Sequence, residues 1–274
     1  MRIGIAVRPA LPEASEAAKA LKSWLRARKV TVLDFERVVE GESCDAVMVL
    51  GGDGTLLQVA NQMAPREIPA IGINYGHVGY LCEVGAERIF EAAEMILDGR
   101  YTVDRRTMVR ATVRRKGRVI RTLDALNEIL VGGATRTLTL HVEINGDALG
   151  QVRGDGIIVA TRTGSTAYSF SAGGSILLLD GFVLVASNAV FSASIRSLIM
   201  STDAVVRITD QSFSTTPYVI ADGQRDYRMR KEDVLDIGAS PLKGNLISLG
   251  LVTPVHKLSL GFGLRRVSQS PPSP

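Results

Sequence analysis

An apolar run that ends abruptly in a glycine-rich acidic loop restricts the fold of this chain more than any other feature. Residues 46–50 read Ala-Val-Met-Val-Leu, and Gly51-Gly52-Asp53-Gly54 follows directly. A continuous apolar run of this length is typical of a parallel strand that is buried on both faces. Because parallel strands are joined by helical crossovers, this part of the chain is expected to adopt an α/β architecture.

The segments around this strand alternate between strand and helix patterns over the first hundred residues. Short apolar strands are expected at residues 3–7 and 69–73, and helices at residues 13–28, 55–63 and 86–97. In the last helix, the apolar spacing predicts that five side chains face inward: Ile89, Phe90, Ala93, Ile96 and Leu97. The pattern predicts a Rossmann-like open parallel α/β domain over residues 1–100.

After about Tyr101 the apolar residues recur with a period of two. The pair Asn145-Gly146 is expected to form a hairpin turn, and Arg114-Arg115-Lys116-Gly117 is expected to join the strands of a second hairpin, residues 106–113 and 118–123. We therefore predict a β-rich, sandwich-like C-terminal domain over residues 101–250. The final residues 268–274, Ser-Gln-Ser-Pro-Pro-Ser-Pro, lack apolar side chains that could pack, so a disordered tail is expected.

Composition argues against membrane and nucleic-acid partners. The longest apolar stretch, residues 176–186, is interrupted by Asp180-Gly181 and is shorter than the roughly 18 to 20 residues that span a bilayer. The formal net charge is only +4, and the arginines clustered between residues 105 and 121 are not interleaved with aromatic side chains. No secretory signal pattern opens the chain, so we expect a cytoplasmic protein.

Cysteine and histidine are too sparse for a structural metal site. Cys44 and Cys82 are expected to be buried thiols, and His77, His141 and His256 form no zinc-binding spacing. We do not expect His77 to be catalytic. A metal ion is expected only as a companion of a phosphate ligand, bound through oxygen.

The loop Gly51-Gly52-Asp53-Gly54-Thr55 connects a buried strand to a helix N-terminus. Such a loop lies in the ligand crevice of an open α/β sheet, where glycines let backbone amides approach phosphate oxygens. The role of Asp53 stays open at this point. It either forms a tight turn through an Asx hydrogen bond, or it binds a cation or takes a proton from an attacking hydroxyl.

A second glycine-bounded segment, residues 154–174, begins Gly-Asp-Gly, continues as an apolar strand and then becomes rich in hydroxyl side chains. It contains Thr163-Gly164-Ser165-Thr166-Ala167-Tyr168-Ser169. A loop with this density of hydroxyls and amides and one aromatic ring is suited to adenine and its ribose.

Taken together, these segments resemble the NAD kinase family. The family shares five motifs in this order, and here they read Gly51 to Thr55, Asn74-Tyr75-Gly76-His77-Val78-Gly79-Tyr80-Leu81, Leu126-Asn127-Glu128, Gly154 to Gly174 and, more weakly, Ala221-Asp222-Gly223-Gln224. The first motif alone is weak, because diacylglycerol kinases, sphingosine kinases and phosphofructokinases carry a similar loop. The ordered set is specific.

The resemblance implies transfer of the terminal phosphoryl group of ATP, or of polyphosphate, to the 2′-hydroxyl of the adenosine ribose of NAD. Asp53 would be the general base, Gly51, Gly52, Gly54 and Thr55 would bind the donor phosphates, and Mg²⁺ would be carried in by the nucleotide. The remaining implied positions would bind NAD: Asn74, Tyr80, Asn127, Glu128, Arg153, Asp155, Thr163, Thr166, Ala167, Tyr168 and Ser171.

The family also implies a homodimer or homotetramer, and a return of the chain to the first domain over about residues 251–267. Two departures from the family pattern stand out. Arg162 replaces a proline, so that it either reaches phosphate or fills the turn differently, and residues 188–196 have lost the segment that follows the adenine loop. Two alternatives remain: a lipid or sugar kinase of the same superfamily, and a non-catalytic sensor of NAD or NADP.

Overall fold

The structure, a computed structural model, describes residues 1–76, 79–133, 137–189, 196–212 and 215–261. The chain forms two compact units. The first comprises Met1–Asp104 and the chain from Asn245 onward, and the second is Arg105–Gly244. The chain re-enters the first unit inside a long strand, earlier than the limit near residue 250 suggested by sequence. The predicted tail at 268–274 lies outside the described residues.

The first unit contains a small parallel sheet with helices. Its elements are β1 (Arg2–Val7), α1 (Pro12–Ala27), β2 (Thr31–Asp34), α2 (Phe35–Val39), β3 (Ala46–Gly51), α3 (Asp53–Met63), β4 (Ala70–Asn74), β5 (Val84–Gly85) and α4 (Ile89–Leu97). Strands β2, β1, β3 and β4 lie side by side in that order, all parallel. The order reverses at β1, so a ligand crevice is expected at the carboxyl ends of β1 and β3.

Burial in the first unit follows from apolar spacing. Pro12 opens α1 at a position where its missing N–H costs nothing, and Ala14, Ala18, Leu21 and Leu25 bury one face of the helix. Strand β3 is buried at every position, as its unbroken apolar sequence predicts. These elements share one hydrophobic core.

The prediction for Phe90 is wrong. Helix α4 buries Ile89, Ala92, Ala93 and Ile96, whereas the Phe90 side chain is 40% exposed. Residue 90 lies about 100° around the helix from Ile89, which places it outside the buried stripe. Its ring instead lies 5.8 Å from that of Trp24.

The second unit is built from β-strands. They are β6 (Thr102–Arg115), β7 (Arg118–Ala125), β8 (Glu128–Gly132), β9 (Leu138–Ile144), β10 (Asp147–Gly154), β11 (Gly156–Thr161), β12 (Phe182–Ser187), β13 (Ser197–Met200), β14 (Val206–Asp210), β15 (Tyr218–Ala221), β16 (Arg225–Arg228) and β17 (Asp233–Ser248), with one short helix, α5 (Tyr168–Ser171). Strands β6 and β17 extend into the first unit at their outer ends. A last helix, α6 (Pro254–Gly261), follows β17.

Two sheets of the second unit face each other across one core, which confirms the sandwich-like architecture. One contains β10, β9, β14, β17, β6 and β7, and the other has the order β13, β12, β11, β8, β15, β16. Val109, Leu140, Val159 and Val219, from strands of both sheets, meet in this core. The outer face of the second sheet is also covered, since Ile158 and Val185 pack with Leu177.

Both predicted hairpins are present, but the second has a shorter turn than predicted, because Arg114 and Arg115 belong to β6. Asn145 and Gly146 have φ angles of 55° and 91°, and Lys116 and Gly117 have φ angles of 49° and 78°. Two successive positive φ angles are characteristic of the two-residue turn that matches strand twist. These turns join β9 to β10 and β6 to β7.

Candidate active site

The glycine-rich loop places backbone amides at the N-terminus of α3. Gly51 ends β3, Gly52 is the N-cap residue, and the helix begins at Asp53, two residues earlier than the sequence pattern suggested. A Cβ atom added at Gly52 or Gly54 would meet no atom within 4 Å. The first amides of a helix have no partner within it, so this open end of α3 has the geometry and the dipole that attract phosphate oxygens.

The Asp53 carboxylate bridges two segments of the first unit. Its Oδ2 accepts hydrogen bonds from the backbone N–H groups of Tyr80 at 2.6 Å and Leu81 at 3.1 Å, and its Oδ1 accepts one from the N–H of Cys82 at 3.0 Å. These partners are 27 to 29 residues away in sequence. The bonds therefore differ from the local Asx turn that was one of the sequence interpretations.

Gly79 is required for this bridge. A Cβ atom at residue 79 would lie 2.3 Å from the Cγ and from both carboxylate oxygens of Asp53. A carboxylate offers about four lone-pair directions, of which the three amide donors occupy three. The Cys82 thiol is a further hydrogen-bond partner of this carboxylate, so a ligand hydroxyl would take the place of the thiol, at the oxygen Oδ1 that has fewer amide donors.

Cys82 lies beside this carboxylate and is half-buried rather than fully buried as expected. Burial raises the pKa of the Cys82 thiol far above its ordinary value, and the charge of Asp53 raises it further. The side chain therefore stays a neutral thiol. Cys44 is likewise half-buried, with its pKa raised by burial.

In the second unit, Asp222 organises the segment that contains Asn127 and Glu128. Its carboxylate accepts hydrogen bonds from the N–H groups of Leu126 at 2.8 Å, Asn127 at 2.8 Å and Glu128 at 3.0 Å. Asp222 has a φ of 52°, a left-handed conformation. Sequence reasoning noted this position only as part of a weak motif. Aspartate followed by glycine at a turn was the available signal.

The strand after the second Gly-Asp-Gly motif ends against the same segment. Thr161, at the end of β11, donates its N–H to the carbonyl of Asn127 at 2.8 Å and its hydroxyl to that of Leu126 at 2.6 Å. A Cβ atom at Gly164 would lie 2.1 Å from the Asn127 carbonyl oxygen. Glycine is therefore the residue that lets the two backbones approach at this point.

Two acceptor atoms in this cluster are buried without a partner among the described residues: Asn127 Oδ1 and Glu128 Oε2. Glu128 is only 8% exposed, and burial, with a smaller contribution from the charge of Asp222, raises its pKa to about 8. Buried polar atoms normally have partners. These two atoms are thus positioned to receive the hydroxyl or amino groups of a ligand.

The hydroxyl-rich segment is helical rather than the extended loop that its composition suggested. Residues Gly164–Thr166 form a 3-10 turn and α5 follows. The Ser165 and Thr166 hydroxyls donate to carbonyls three residues back, which supports this winding. Thr163 is buried, Thr166 and Ala167 are half-buried, and Tyr168 and Ser171 are exposed.

Arg106 is a cation that sequence reasoning missed. Its guanidinium Nη1 lies 3.5 Å from the Thr163 hydroxyl. The pairing depends on residues 57 positions apart, and no local motif marks it. Arg162, at the position where the family has proline, lies 3.4 Å from the Asp180 carboxylate, so it fills the turn by an ion pair.

Arg153 and Asp155 lie at the opposite edge of the sheet from Glu128. Gly156 pairs with Gly132, whereas Ala160 pairs with Glu128, which separates the two edges by roughly 13 Å along β11. The Asp155 carboxylate accepts a hydrogen bond from the Asn188 amide at 2.7 Å. The second unit therefore brings together Asn127, Glu128 and Thr163, but not Asp155.

The remaining predicted positions lie in the first unit or outside the described residues. Asn74 ends β4 and its side-chain oxygen accepts the N–H of Gly76 at 3.0 Å. Tyr80 lies in the loop bound by Asp53, and burial raises its pKa. His77 falls outside the described ranges, as do residues 190–195 of the altered segment.

The described part of the chain contains neither a candidate metal cluster of side chains nor a candidate membrane-spanning helix. No group of three or more His, Cys, Asp or Glu side chains there could hold a metal ion. No helix within the described ranges is long and apolar enough to cross a membrane.

Comparison with known proteins gives consistent results. A sequence profile described as the ATP-NAD kinase N-terminal domain matches residues 34–101, and one described as the ATP-NAD kinase C-terminal domain matches residues 126–249. The chain is 35% identical over 214 residues to an NAD kinase of Natranaerobius thermophilus, covering 77% of this chain and 75% of that protein. It is 33% identical over 285 residues to an NAD kinase of Pseudomonas putida strain W619, covering 96% of both.

Solved structures share the fold. An NAD kinase from Archaeoglobus fulgidus, determined in complex with ATP, superimposes with a TM-score of 0.73 at 24% identity, covering 91% of this chain and 94% of that one. A yeast NADH kinase complexed with NADH superimposes with a TM-score of 0.84 at 19% identity, covering 97% and 88%. Because both profiles match in order and relatives above 30% identity align over most of its length, the chain belongs to the NAD kinase family.

Proposed function

We propose that this chain transfers the terminal phosphoryl group of ATP or polyphosphate to the 2′-hydroxyl of the adenosine ribose of NAD, with Asp53 as general base. Membership of the NAD kinase family makes it a kinase. The observation that carries the residue assignment is the Asp53 carboxylate, fixed by three backbone amides at the open N-terminus of α3.

The donor phosphates are proposed to bind at the open end of α3. The amides of Gly51, Gly52 and Gly54 are assigned to them, and Thr55 is assigned through its hydroxyl, because its N–H already donates to the Gly52 carbonyl at 3.0 Å. The absence of Cβ atoms at Gly52 and Gly54 leaves room for phosphate oxygens. The Asp53 carboxylate is already bonded to three amides, so this end suits Mg²⁺ as part of the nucleotide complex.

The acceptor NAD is proposed to bind the cluster of the second unit. Asn127 Oδ1 and Glu128 Oε2 are unpartnered acceptors, which match the hydroxyl and amino donors of an adenosine. The other positions assigned to NAD are Asn74, Tyr80, Arg153, Asp155, Thr163, Thr166, Ala167, Tyr168 and Ser171. Of these, Thr163 is supported by its place beside Arg106, a cation suited to a phosphate oxygen.

The proposed chemical step balances without a further reactant. Asp53 Oδ1 takes the proton of the ribose 2′-hydroxyl while the 2′-oxygen forms a bond to the terminal phosphorus of the donor. The bond from that phosphorus to the bridging oxygen breaks, and the shortened donor leaves with the electron pair. The protein contributes position and charge, which is what phosphoryl transfer chiefly requires.

We also propose a cytoplasmic homo-oligomer, a homodimer or homotetramer. Several large apolar side chains of the second unit are exposed, and they support the burial of a surface between copies: Tyr168, Phe170, Leu178, Leu179 and Ile199. Light scattering of the purified chain measures the state directly, and a monomer at micromolar concentration would contradict this part of the proposal.

The test is a coupled assay in which the chain, NAD and Mg²⁺ are mixed with ATP or with polyphosphate. NADP is read out with an NADP-specific dehydrogenase. We expect Asp53→Asn to lower kcat by about 10² to 10⁴ while changing NAD affinity in calorimetry less than threefold. Asp98→Asn, at an exposed carboxylate, is the matched control and should retain full turnover.

Three outcomes are informative. NADP formed with one donor establishes the reaction and selects that donor. Binding of NAD without turnover by the unaltered chain would replace the proposal with a sensor of NAD or NADP. Full activity in Asp53→Asn would remove Asp53 as the general base.

A further inference from the structure

A cavity of about 460 Å³ in the second unit lies apart from the cluster of Asn127, Glu128 and Asp222. It is lined by Asp210, Thr216, Arg228, Met229, Arg230 and Lys231. Tyr218 pairs with both Arg228 and Gly132, whereas Ala221, next to Asp222, pairs with Ile129. The cavity is therefore at the opposite end of β15 from Asp222 and its cluster.

The cavity carries an excess of positive charge. Three cationic side chains and one carboxylate line it. That carboxylate, Asp210, is already neutralised, because Lys231 Nζ lies 3.1 Å from its Oδ2 and the N–H of Ser212 donates to its Oδ1 at 2.8 Å. Lys231 also donates to the carbonyl of Ser212.

Arg228 and Arg230 make no ion pair with any described residue. The Arg228 guanidinium lies 6.0 Å from the centre of the Tyr218 ring, a contact that leaves its N–H donors free. Asp233, three residues from Arg230, is fully buried and is bound by Arg115 at 2.8 Å and by the Tyr227 hydroxyl at 2.9 Å. Glu232, two residues from Arg230, also lies 4.0 Å from Arg115. Neither arginine is therefore neutralised by this part of the chain.

The backbone that carries these arginines is held rigidly. Met229, between them, is 1% exposed, and its N–H donates to the carbonyl of Pro217 at 2.9 Å. The N–H of Arg230 donates to Asp233 at 2.7 Å, and the N–H of Asp233 returns a bond to the Arg230 carbonyl at 2.9 Å. A fixed backbone leaves only the side-chain rotamers of the two exposed arginines to be ordered when a ligand binds.

We propose that this cavity, the basic pocket, is a second anion site that binds an oligophosphate, with Arg228 and Arg230 as its main ligands and Thr216 as a further donor. Arginine pairs bidentately with phosphate, so two unneutralised arginines suit a ligand with at least two phosphate groups. The shared chemistry is a chain of phosphates, either free or carried by a nucleotide.

The experiment is a calorimetric titration of the full chain with tripolyphosphate in a fixed buffer of about 0.1 M salt. We compare the unaltered chain with the double variant Arg228→Ala, Arg230→Ala. The double variant Arg118→Ala, Arg121→Ala removes the same charge from exposed positions of β7 and is the control. Circular dichroism and the Tm of each variant report that it is folded.

We expect two binding events in the unaltered chain, one at α3 and one in the basic pocket. In the pocket variant only, the affinity of the second event should fall at least about tenfold. If the proposed function fails, the unaltered chain shows one event, which the pocket variant abolishes. Equal binding by the pocket variant and the unaltered chain overturns the proposal, as does an equal loss in the control.

A parallel titration with ATP and with AMP distinguishes the sources of the phosphates. ATP binding to the pocket at least tenfold more tightly than tripolyphosphate assigns a nucleotide. Similar affinity for ATP and tripolyphosphate, with none for AMP, assigns the phosphate chain alone.

Discussion

A single added methyl group at residue 79 should displace the Asp53 carboxylate. In Gly79→Ala the new Cβ would lie 2.3 Å from the carboxylate atoms, whereas real Cβ contacts need more than 3 Å. The backbone at residue 79 is not in the left-handed region, so alanine adds no backbone strain there. The effect of this substitution is therefore the steric one.

The expected magnitude follows from what the carboxylate loses. Overfilling a packed site costs about 1 to 3 kcal/mol, and hydrogen bonds to a charged group contribute about 1.5 to 3 kcal/mol each. The loop is half-buried, so water replaces part of that loss. We expect destabilisation of about 2 to 3 kcal/mol, a fall in Tm of about 4 to 12 °C. Turnover should drop at least about 100-fold, because the base is moved.

Calorimetric or chemical unfolding, with the coupled NADP assay, measures both effects. Gly76→Ala is the matched control in the same loop, because its Cβ would meet nothing closer than 3.7 Å. In an Asp53→Ala background the methyl group has room, so Gly79→Ala should then cost under about 0.5 kcal/mol. An equal cost in both backgrounds, or equal effects of the two glycine substitutions, would refute the steric reasoning.

Three further predictions follow from the second unit. Gly164→Ala places its Cβ 2.1 Å from the Asn127 carbonyl oxygen, so we expect loss of several kcal/mol of stability and at least tenfold weaker NAD binding in calorimetry. Because burial raises the pKa of Glu128 to about 8, the folded chain binds more protons than the unfolded chain between pH about 4.5 and 8. The free energy of unfolding of the unaltered chain then falls as pH rises through this window. In chemical unfolding, the free energy of unfolding of Glu128→Gln should rise relative to that of the unaltered chain by at most about 1.4 kcal/mol per pH unit, with no further rise above pH 8. Asp233→Ala leaves the Arg115 guanidinium only Glu232, 4.0 Å away, as a carboxylate partner, and should lower the free energy of unfolding in the same measurement by more than the loss of an exposed ion pair.

Each of these predictions has a control in a less demanding position. Gly238→Ala should be tolerated, because its Cβ would meet nothing nearer than 3.4 Å. Glu16→Gln, at a side chain that is 73% exposed, should show no such pH-dependent gain. Asp98→Ala removes a surface ion pair and should cost under about 1 kcal/mol. If a control substitution changes the measured quantity as much as its test substitution does, the argument for that test substitution is contradicted.

The sequence predicted much of the architecture, because those features depend on neighbours along the chain. The unbroken apolar run of β3 indicates a strand buried on both faces, and the positive φ angles at Asn145 and Gly146 follow from their residue types. The ordered motifs around Asp53, Asn127 and Gly164 identified the family.

Tertiary structure decided which groups meet. Asp53 bonds to amides 27 to 29 residues away, and Asp222 bonds to amides 94 to 96 residues away, so no local pattern marks either contact. The exposure of Phe90 depends on which stripe of α4 faces the sheet. Asp233, whose carboxylate accepts the backbone N–H of Arg230, forms its ion pair with Arg115, 118 residues away in sequence. Sequence specifies backbone periodicity and turn chemistry, whereas hydrogen bonds and charge pairing over long separations exist only once the chain has folded.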